Sequence, residues 1–565
     1  MRSGYRKVVV LAAISGATIL AALTARARTH VVAAKNVPAS GRAARSRSDV
    51  NRLRDRIDAA IAQPQGSRIF WGIEVADRDT GQILYSRNAD DFFMPASNAK
   101  LFTTSFVLAA LGPGYQYHTT IESSAPIGPD GKVAGDLVFV GRGDPDLSNV
   151  VFPYQLKTER SGPVEKILAE MADAAVAKGL KEVDGDVVAD DSYFPYDPYP
   201  EGWSIGDVFF DFGAPVSAIT FNDNIVRVQI TPGARAGDPA AIQVQPAAAF
   251  ESITAQVTTV SPGGHAYYSV SRQPGPNFLA LTGTIPVGQA PTELDLAMIA
   301  PAETAARALK QLLEQRGVKI TGEVRVVHAP PPQTSDENGF SPPPPPPAPS
   351  AAGLHPFILA EHVSPPLIES VRLTNKVSQN LHAELFLRTV ARVKAGFGSA
   401  EQGLKMEQDF LRAAGVPDGD VVLTDGSGLA RDDLVTPRAV VALLEYDARQ
   451  PWGSEFMSTL PVAGVDGTLE SRMKAISGPA VIQAKTGSLE HVHSISGYAK
   501  TYRGENLVFS IFANNDTQRG NDATQTLDAI AEAMVQTLGG PAAKPNTKKK
   551  IEKGKAKTGK PAPRP

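Results

Sequence analysis

The 565-residue chain is 42% hydrophobic and 20% charged, enough apolar material for several cores, so a globular protein of more than one domain is expected. It contains no cysteine, which excludes disulfide frameworks, thiol nucleophiles and thiolate metal sites without fixing the compartment. Residues 1–48 hold nine Lys or Arg and no acid, and residues 544–565 hold nine against Glu552; the formal net of −3 therefore leaves about −20 on residues 49–543, an acidic body that argues against nucleic acid as its partner.

The first stretch, MRSGYRKVVVLAAISGATILAALTARARTH, sets Arg2, Arg6 and Lys7 before an uncharged run from Val8 to Ala25. That is the layout of an export signal. Ala25-Arg26-Ala27 offers a small-x-small cleavage site, so a cleaved signal over 1–27 is expected in preference to a retained anchor, followed by a basic linker at 28–49. Either way the body is expected outside the cytoplasm, in the periplasm or cell envelope.

From Val50, NRLRDRIDAAIA spaces apolar residues helically, and FWGIEVADRDTGQILYSRNA reads as two strands around an Asp-Thr-Gly turn. SNAKLFTTSFVLAALG then forms an apolar run closed by Gly112, which predicts a buried helix with Ser97 at its N-terminus. Between about 113 and 329 come short β-rich segments such as GDLVFVG, NIVRVQI and YYSVSRQ, interrupted by the helical stretches PVEKILAEMADAAVAKGL and AETAARALKQLLEQRG. Residues 329–353 include six consecutive prolines, which cannot pack into a core and read as a linker or surface loop. Helical text resumes with PPLIESVRLTNKVSQNLHAELFLRTVARV, and PAVIQAKTGSLEHVHSISGYAKTYRGENLVFSIFANN reads as three antiparallel strands with a turn at Arg503-Gly504-Glu505. Residues 541–565 read as a disordered basic tail, with weak contact to anionic wall polymer or membrane as a second use.

Ser97 and Lys100 stand three apart, so on a helix the amine lies within reach of the hydroxyl. A lysine acts as base only when desolvation or a neighbouring cation keeps it neutral part of the time. The pattern recurs at Ser471 and Lys474, so it carries little alone. Ser378-Gln379-Asn380 in helix-loop text and Lys485-Thr486-Gly487 in a predicted strand follow in the order of parts found in penicillin-interactive serine enzymes. Their decoys, Ser86 to Asn88 in a strand and Lys557 to Gly559 in the tail, lack that order or setting. GWSIG at 202–206 matches a nucleophile elbow, but no strand precedes it and no helix follows. His491 and His493 are spaced to share a strand face; with no third ligand suggested, a structural reading is preferred and no metal is expected. Asp144, Asp146 and Asp425 lie in turn-rich text where carboxylates cap backbone.

With FGAPVSAITFNDN, DGSGLAR and GVDGTLESRM added, the chain from about residue 68 to 540 resembles the D-alanyl-D-alanine carboxypeptidases/endopeptidases, the low-molecular-mass penicillin-binding proteins of class C. The resemblance implies an α/β (α+β) multidomain protein. A penicillin-binding/β-lactamase-like transpeptidase fold, with an antiparallel sheet and helices, would be split by inserted β-rich domains. That places the first part at 50–115, inserts at 116–328, a proline-rich linker at 329–353 and the second part at 354–540. A class A β-lactamase would set the motifs much closer than the 277 residues between Lys100 and Ser378.

The resemblance also implies roles. Ser97 would be the nucleophile, Lys100 its base and Ser378 a proton relay. Asn380 would hold substrate backbone, Lys485 and Thr486 would receive a terminal carboxylate, Gly487 would allow close approach, and the N–H groups of Ser97 and Ser488 would form an oxyanion hole. Implied partners are peptidoglycan peptides and β-lactams, with no cofactor. The alternatives are a catalytically weak wall-binding scaffold and a β-lactamase or esterase using the same motifs.

Overall fold

The computed structural model describes residues 47–63, 66, 68–249, 252–271, 278–331, 355–517 and 522–539. The predicted signal or anchor, nearly all of both linkers, the basic tail and the Lys557 triplet lie outside the described residues. Among the described residues no helix is long and apolar enough to cross a membrane.

Strands drawn from opposite ends of the chain build one antiparallel five-stranded sheet. Its order is Val481–Leu489, Val492–Lys500, Asn506–Asn514, Phe70–Asp77, Gln82–Arg87, with Ile73 opposite Ile511 and Lys485 opposite Ser496. Both faces are covered, which is why NLVFSIFAN reads as an almost continuous apolar run rather than an alternating one. Helices Ser48–Ile61 and Asp522–Thr537 cover one face, burying Leu53, Ile57, Ile530 and Met534 against Ile73 and Ile482. The other face meets a helical layer that includes Ala99–Leu111, Asn380–Ala395 and Pro437–Ala448, through Phe102, Phe386, Leu443 and Phe512. Helix Ala99–Leu111 lies inside this layer and is buried from Ala99 through Leu108, as an apolar run without a polar face requires.

The insert has its own sheet, ordered Val324–Ala329, Val187–Pro195, Leu137–Val140, His118–Ser123, Phe357–Val363. Helices Lys166–Ala177 and Pro301–Gln315 pack into the same core. Two three-stranded sheets from residues 225–297 share a smaller core around Val228, Leu281 and Ile285. Phe357–Val363, in text assigned by sequence to the second segment from 354, pairs antiparallel with His118–Ser123. Strand partners across more than 200 residues leave no local signal, so only the helical text from Leu367 marked the return to the helical layer.

Candidate active site

A short 3-10 turn, Ala96–Asn98, leads into helix Ala99–Leu111 and sets Ser97 at the head of the helix. Ala96 has φ 49°, a left-handed conformation that alanine adopts only when its surroundings impose it. Gly428 supplies part of that constraint, since a Cβ there would overlap the Ala96 carbonyl. One turn on, Lys100 Nζ donates to Ser97 Oγ at 2.9 Å, Asn380 Oδ1 at 2.5 Å and the Ser427 carbonyl at 2.6 Å. Lys100 is fully buried. Burial holds its pKa down to about 7, although Asp425, Glu384 and Asp433 pull the other way.

Helix Leu367–Val377 ends at Ser378, whose φ of 65° reverses the chain into helix Asn380–Ala395. Gln379 caps that second helix by accepting from the Leu381 N–H at 3.2 Å, a role the sequence reading did not assign. Ser378 Oγ accepts from Lys485 Nζ at 2.9 Å. Lys485 is fully buried, and burial together with the Lys100 charge pushes its pKa well below the usual lysine value.

Several contacts lock the Lys485 strand onto the Ser97 turn. Asn98 Nδ2 donates to Ser494 Oγ at 2.5 Å, and Ser494 Oγ donates to the Pro95 carbonyl at 2.7 Å. Gly487 lies against this turn, 3.0 Å from the Ser97 nitrogen if it carried a Cβ. Thr486 Oγ1 donates to Thr468 Oγ1 at 2.7 Å. Two residues before Thr468, Asp466 Oδ2 forms a buried ion pair with Lys376 Nζ at 2.6 Å, and Lys376 also donates to the Leu460 carbonyl at 2.7 Å. Asp466→Ala strands a buried ammonium and is expected to cost about 3–5 kcal/mol of stability in chemical denaturation. A loss below about 1 kcal/mol would show that Lys376 finds another partner.

A cleft of about 630 Å³ opens over these groups, lined by Ser97, Ser378, Asn380 and Ser488 together with Asp207, Phe212, Arg431 and Glu490. All eight predicted site residues are thus brought together, with Lys100 and Lys485 beneath the floor of the cleft and joined to it by hydrogen bonds. The decoys lie elsewhere. Ser471 and Lys474 are exposed in a turn region, Ser86 is exposed on its strand, and Ser204 is exposed in a loop. His491 departs from expectation: its φ of 68° places it in the turn before strand Val492–Lys500, so it does not share a strand face with His493. Among the described residues no group of His, Asp and Glu is placed to hold a metal ion.

Sequence reasoning read Asp425 as a turn cap but missed its link to Lys100 and the part played by Glu384. Asp425 caps its own turn, accepting from the N–H groups of Ser427, Gly428, Leu429 and Ala430 at 3.1, 2.6, 3.0 and 3.1 Å, and so presents the Ser427 carbonyl to Lys100. Glu384 Oε1 accepts from the Gly426 N–H at 2.8 Å, while its Oε2 pairs with Arg388 at 2.7 Å; burial pushes its carboxyl up to about 7. The segment DGSGLAR contains the Asp425 turn, but nothing in its residue types indicates that a backbone oxygen faces the lysine.

The sequence model described as the D-Ala-D-Ala carboxypeptidase 3 (S13) family matches residues 53–338 and 350–534. The chain belongs to this S13 family. It is a serine-type D-Ala-D-Ala carboxypeptidase-class hydrolase. Over 498 residues it is 32% identical to the D-alanyl-D-alanine carboxypeptidase of Actinomadura sp. strain R39, covering 86% of this chain and 85% of the relative. Over 455 residues it is 28% identical to the D-alanyl-D-alanine carboxypeptidase DacB of Haemophilus influenzae, covering 80% and 86%. The crystal structure of penicillin binding protein 4 (dacB) from Haemophilus influenzae superposes with a TM-score of 0.69 at 24% identity, over 86% of this chain and 99% of that one. This S13 member therefore shares the penicillin-binding/β-lactamase-like multidomain fold.

Proposed function

We propose that the S13 activity of this chain runs through Ser97, and that it removes or cuts at D-Ala in peptidoglycan stem peptides. The single observation that carries the assignment is Ser97 Oγ at 2.9 Å from a fully buried Lys100 whose pKa is brought to about 7. At neutral pH about half of such a lysine is unprotonated and able to take the Ser97 proton as Oγ attacks the D-Ala carbonyl. The N–H groups of Ser97 and Ser488 receive the oxyanion. Ser378, bonded to Lys485, passes a proton to the departing amine. The acyl-enzyme on Ser97 is then released by water. Asn380 orients the substrate backbone, and Lys485 with Thr486 receives a terminal carboxylate.

A β-lactam fits the same site, and a solved structure of the Haemophilus influenzae relative holds one. The substrate calls for export to the cell envelope, in keeping with the basic and apolar N-terminal stretch. Terminal trimming and cross-link cleavage use the same acylation and differ only in what occupies the leaving-group side.

Incubation with uncross-linked and cross-linked muropeptides tests the reading. Free D-Ala, separated cross-links or both are expected from the wild type and neither from Ser97→Ala; equal turnover by Ser97→Ala would refute the assignment, and so would an inert wild type, which is what the scaffold alternative requires. The rate of acylation should rise with pH through about 7 and plateau above, because the productive lysine is the neutral form. A flat profile between pH 5.5 and 8.5 would show that Lys100 is not the base.

A further inference from the structure

Lys100 has two hydrogen-bond acceptors besides Ser97, and each is held by the inserted region. The first, Asn380, donates its Nδ2 to the Phe212 carbonyl at 2.7 Å. The second, the Ser427 carbonyl, is presented by the Asp425 turn, and Asp425 Oδ2 accepts from Trp203 Nε1 at 2.8 Å. Asp425 is fully buried. The approach is close on the insert side as well. Gly202, at φ 82°, lies so near the turn that a Cβ would sit 3.1 Å from both Ala430 Cβ and Asp432 Oδ2. Residues 202–212 therefore clamp both supports of the lysine while also forming one wall of the cleft through Asp207 and Phe212.

We propose that Trp203, acting through Asp425, is a positioning residue for Lys100, so that docking of the inserted segment sets the protonation of the base. The inference rests on the reading of Ser97 and Lys100 given above. Its electrostatic sense follows from the groups around Lys100. Asp425 and Asp433 face it from the turn, Glu384, paired with Arg388, from the helix that bears Asn380, and Lys485 from the sheet. Glu407 is buried beside Glu384. The indole N–H spreads part of the Asp425 charge. Without it, Asp425 attracts the Lys100 proton more strongly, and the lysine is neutral at a higher pH only. Coupling of this kind gives the insert a stake in the chemistry beyond walling the cleft: a ligand that shifts residues 202–212 alters the base.

The test is the second-order rate of labelling by a fluorescent penicillin, followed from pH 5.5 to 9 for the full chain, Trp203→Phe and Trp203→Gln. Phenylalanine keeps the ring and loses the donor; glutamine keeps an N–H donor that does not titrate. The expected result is an upward shift of the pH midpoint by about one unit in Trp203→Phe, hence about tenfold slower labelling below the midpoint, with partial return in Trp203→Gln. A thermal melt accompanying each variant separates unfolding from mispositioning. A Trp203→Phe profile that keeps the wild-type midpoint, even at a reduced rate, would overturn the proposal and leave Trp203 as a wall residue. A wild type that takes no label overturns this proposal and the Ser97 reading together, whereas a labelled wild type with an unshifted variant overturns this one alone.

Discussion

Lys100→Met is expected to slow acylation of Ser97 by about 10³- to 10⁴-fold while the protein stays folded. Methionine is similar in length and apolar, so it fills the same buried space and removes an ammonium whose desolvation already drives its pKa down to about 7. What is lost structurally is the donor to Asn380 Oδ1 and the Ser427 carbonyl. Leaving two such acceptors without it costs about 1–3 kcal/mol each at most, offset by the desolvation no longer required. Catalytically the loss is larger, because among the described residues Lys100 is the basic group hydrogen-bonded to the Ser97 hydroxyl. Stopped-flow penicillin labelling, with a melt on the same sample, checks both halves; a rate within tenfold of wild type would remove Lys100 from the mechanism.

Gly487→Ala is expected to be the next most damaging, for a steric reason. A Cβ at this position would overlap Ser494 Oγ and sit 2.6 Å from the Pro95 carbonyl and 3.0 Å from the Ser97 nitrogen. Two of these neighbours are backbone atoms of the turn that carries Ser97, and the third is the hydroxyl that ties the turn to the sheet. None can give way without moving the nucleophile relative to Lys485 and Ser488. A displacement near 1 Å at a reacting group costs about 10²-fold in rate, and the overpacking itself costs about 1–3 kcal/mol. Hydrolysis assays and urea denaturation on Gly487→Ala give the two numbers. Unchanged activity would mean that the strand and the turn tolerate separation.

The elements that place the three motifs were legible because each has a strong local signature. Ser97 stands at the start of an uninterrupted apolar run, which can only be an enclosed helix, and Lys485 lies in a strand followed by two more at hairpin spacing. Order along the chain then separated Ser97 from Ser471. The remaining parts of the site were hidden for two physical reasons. Some are backbone groups, such as the carbonyls of Ser427 and Phe212, and a carbonyl has no residue type to read. Others depend on distant packing: Trp203 lies in a loop whose sequence suggested only a failed nucleophile elbow, and its bond to Asp425 joins positions 222 residues apart. The return of Phe357–Val363 to the insert's sheet was invisible for the same reason. His493 illustrates the opposite limit. Its spacing from His491 suggested a shared face, yet a single left-handed residue at His491 removes that relation.

Ser97, and no other hydroxyl in or near the cleft, is proposed to form the covalent intermediate. Peptide mapping by mass spectrometry of the full protein after brief exposure to penicillin tests it most directly. One adduct is expected, on the peptide that carries Met94 to Thr104, and none from Ser97→Ala. An adduct on Ser378, Ser471 or Ser488 in the wild type, or one that persists in Ser97→Ala, would contradict it.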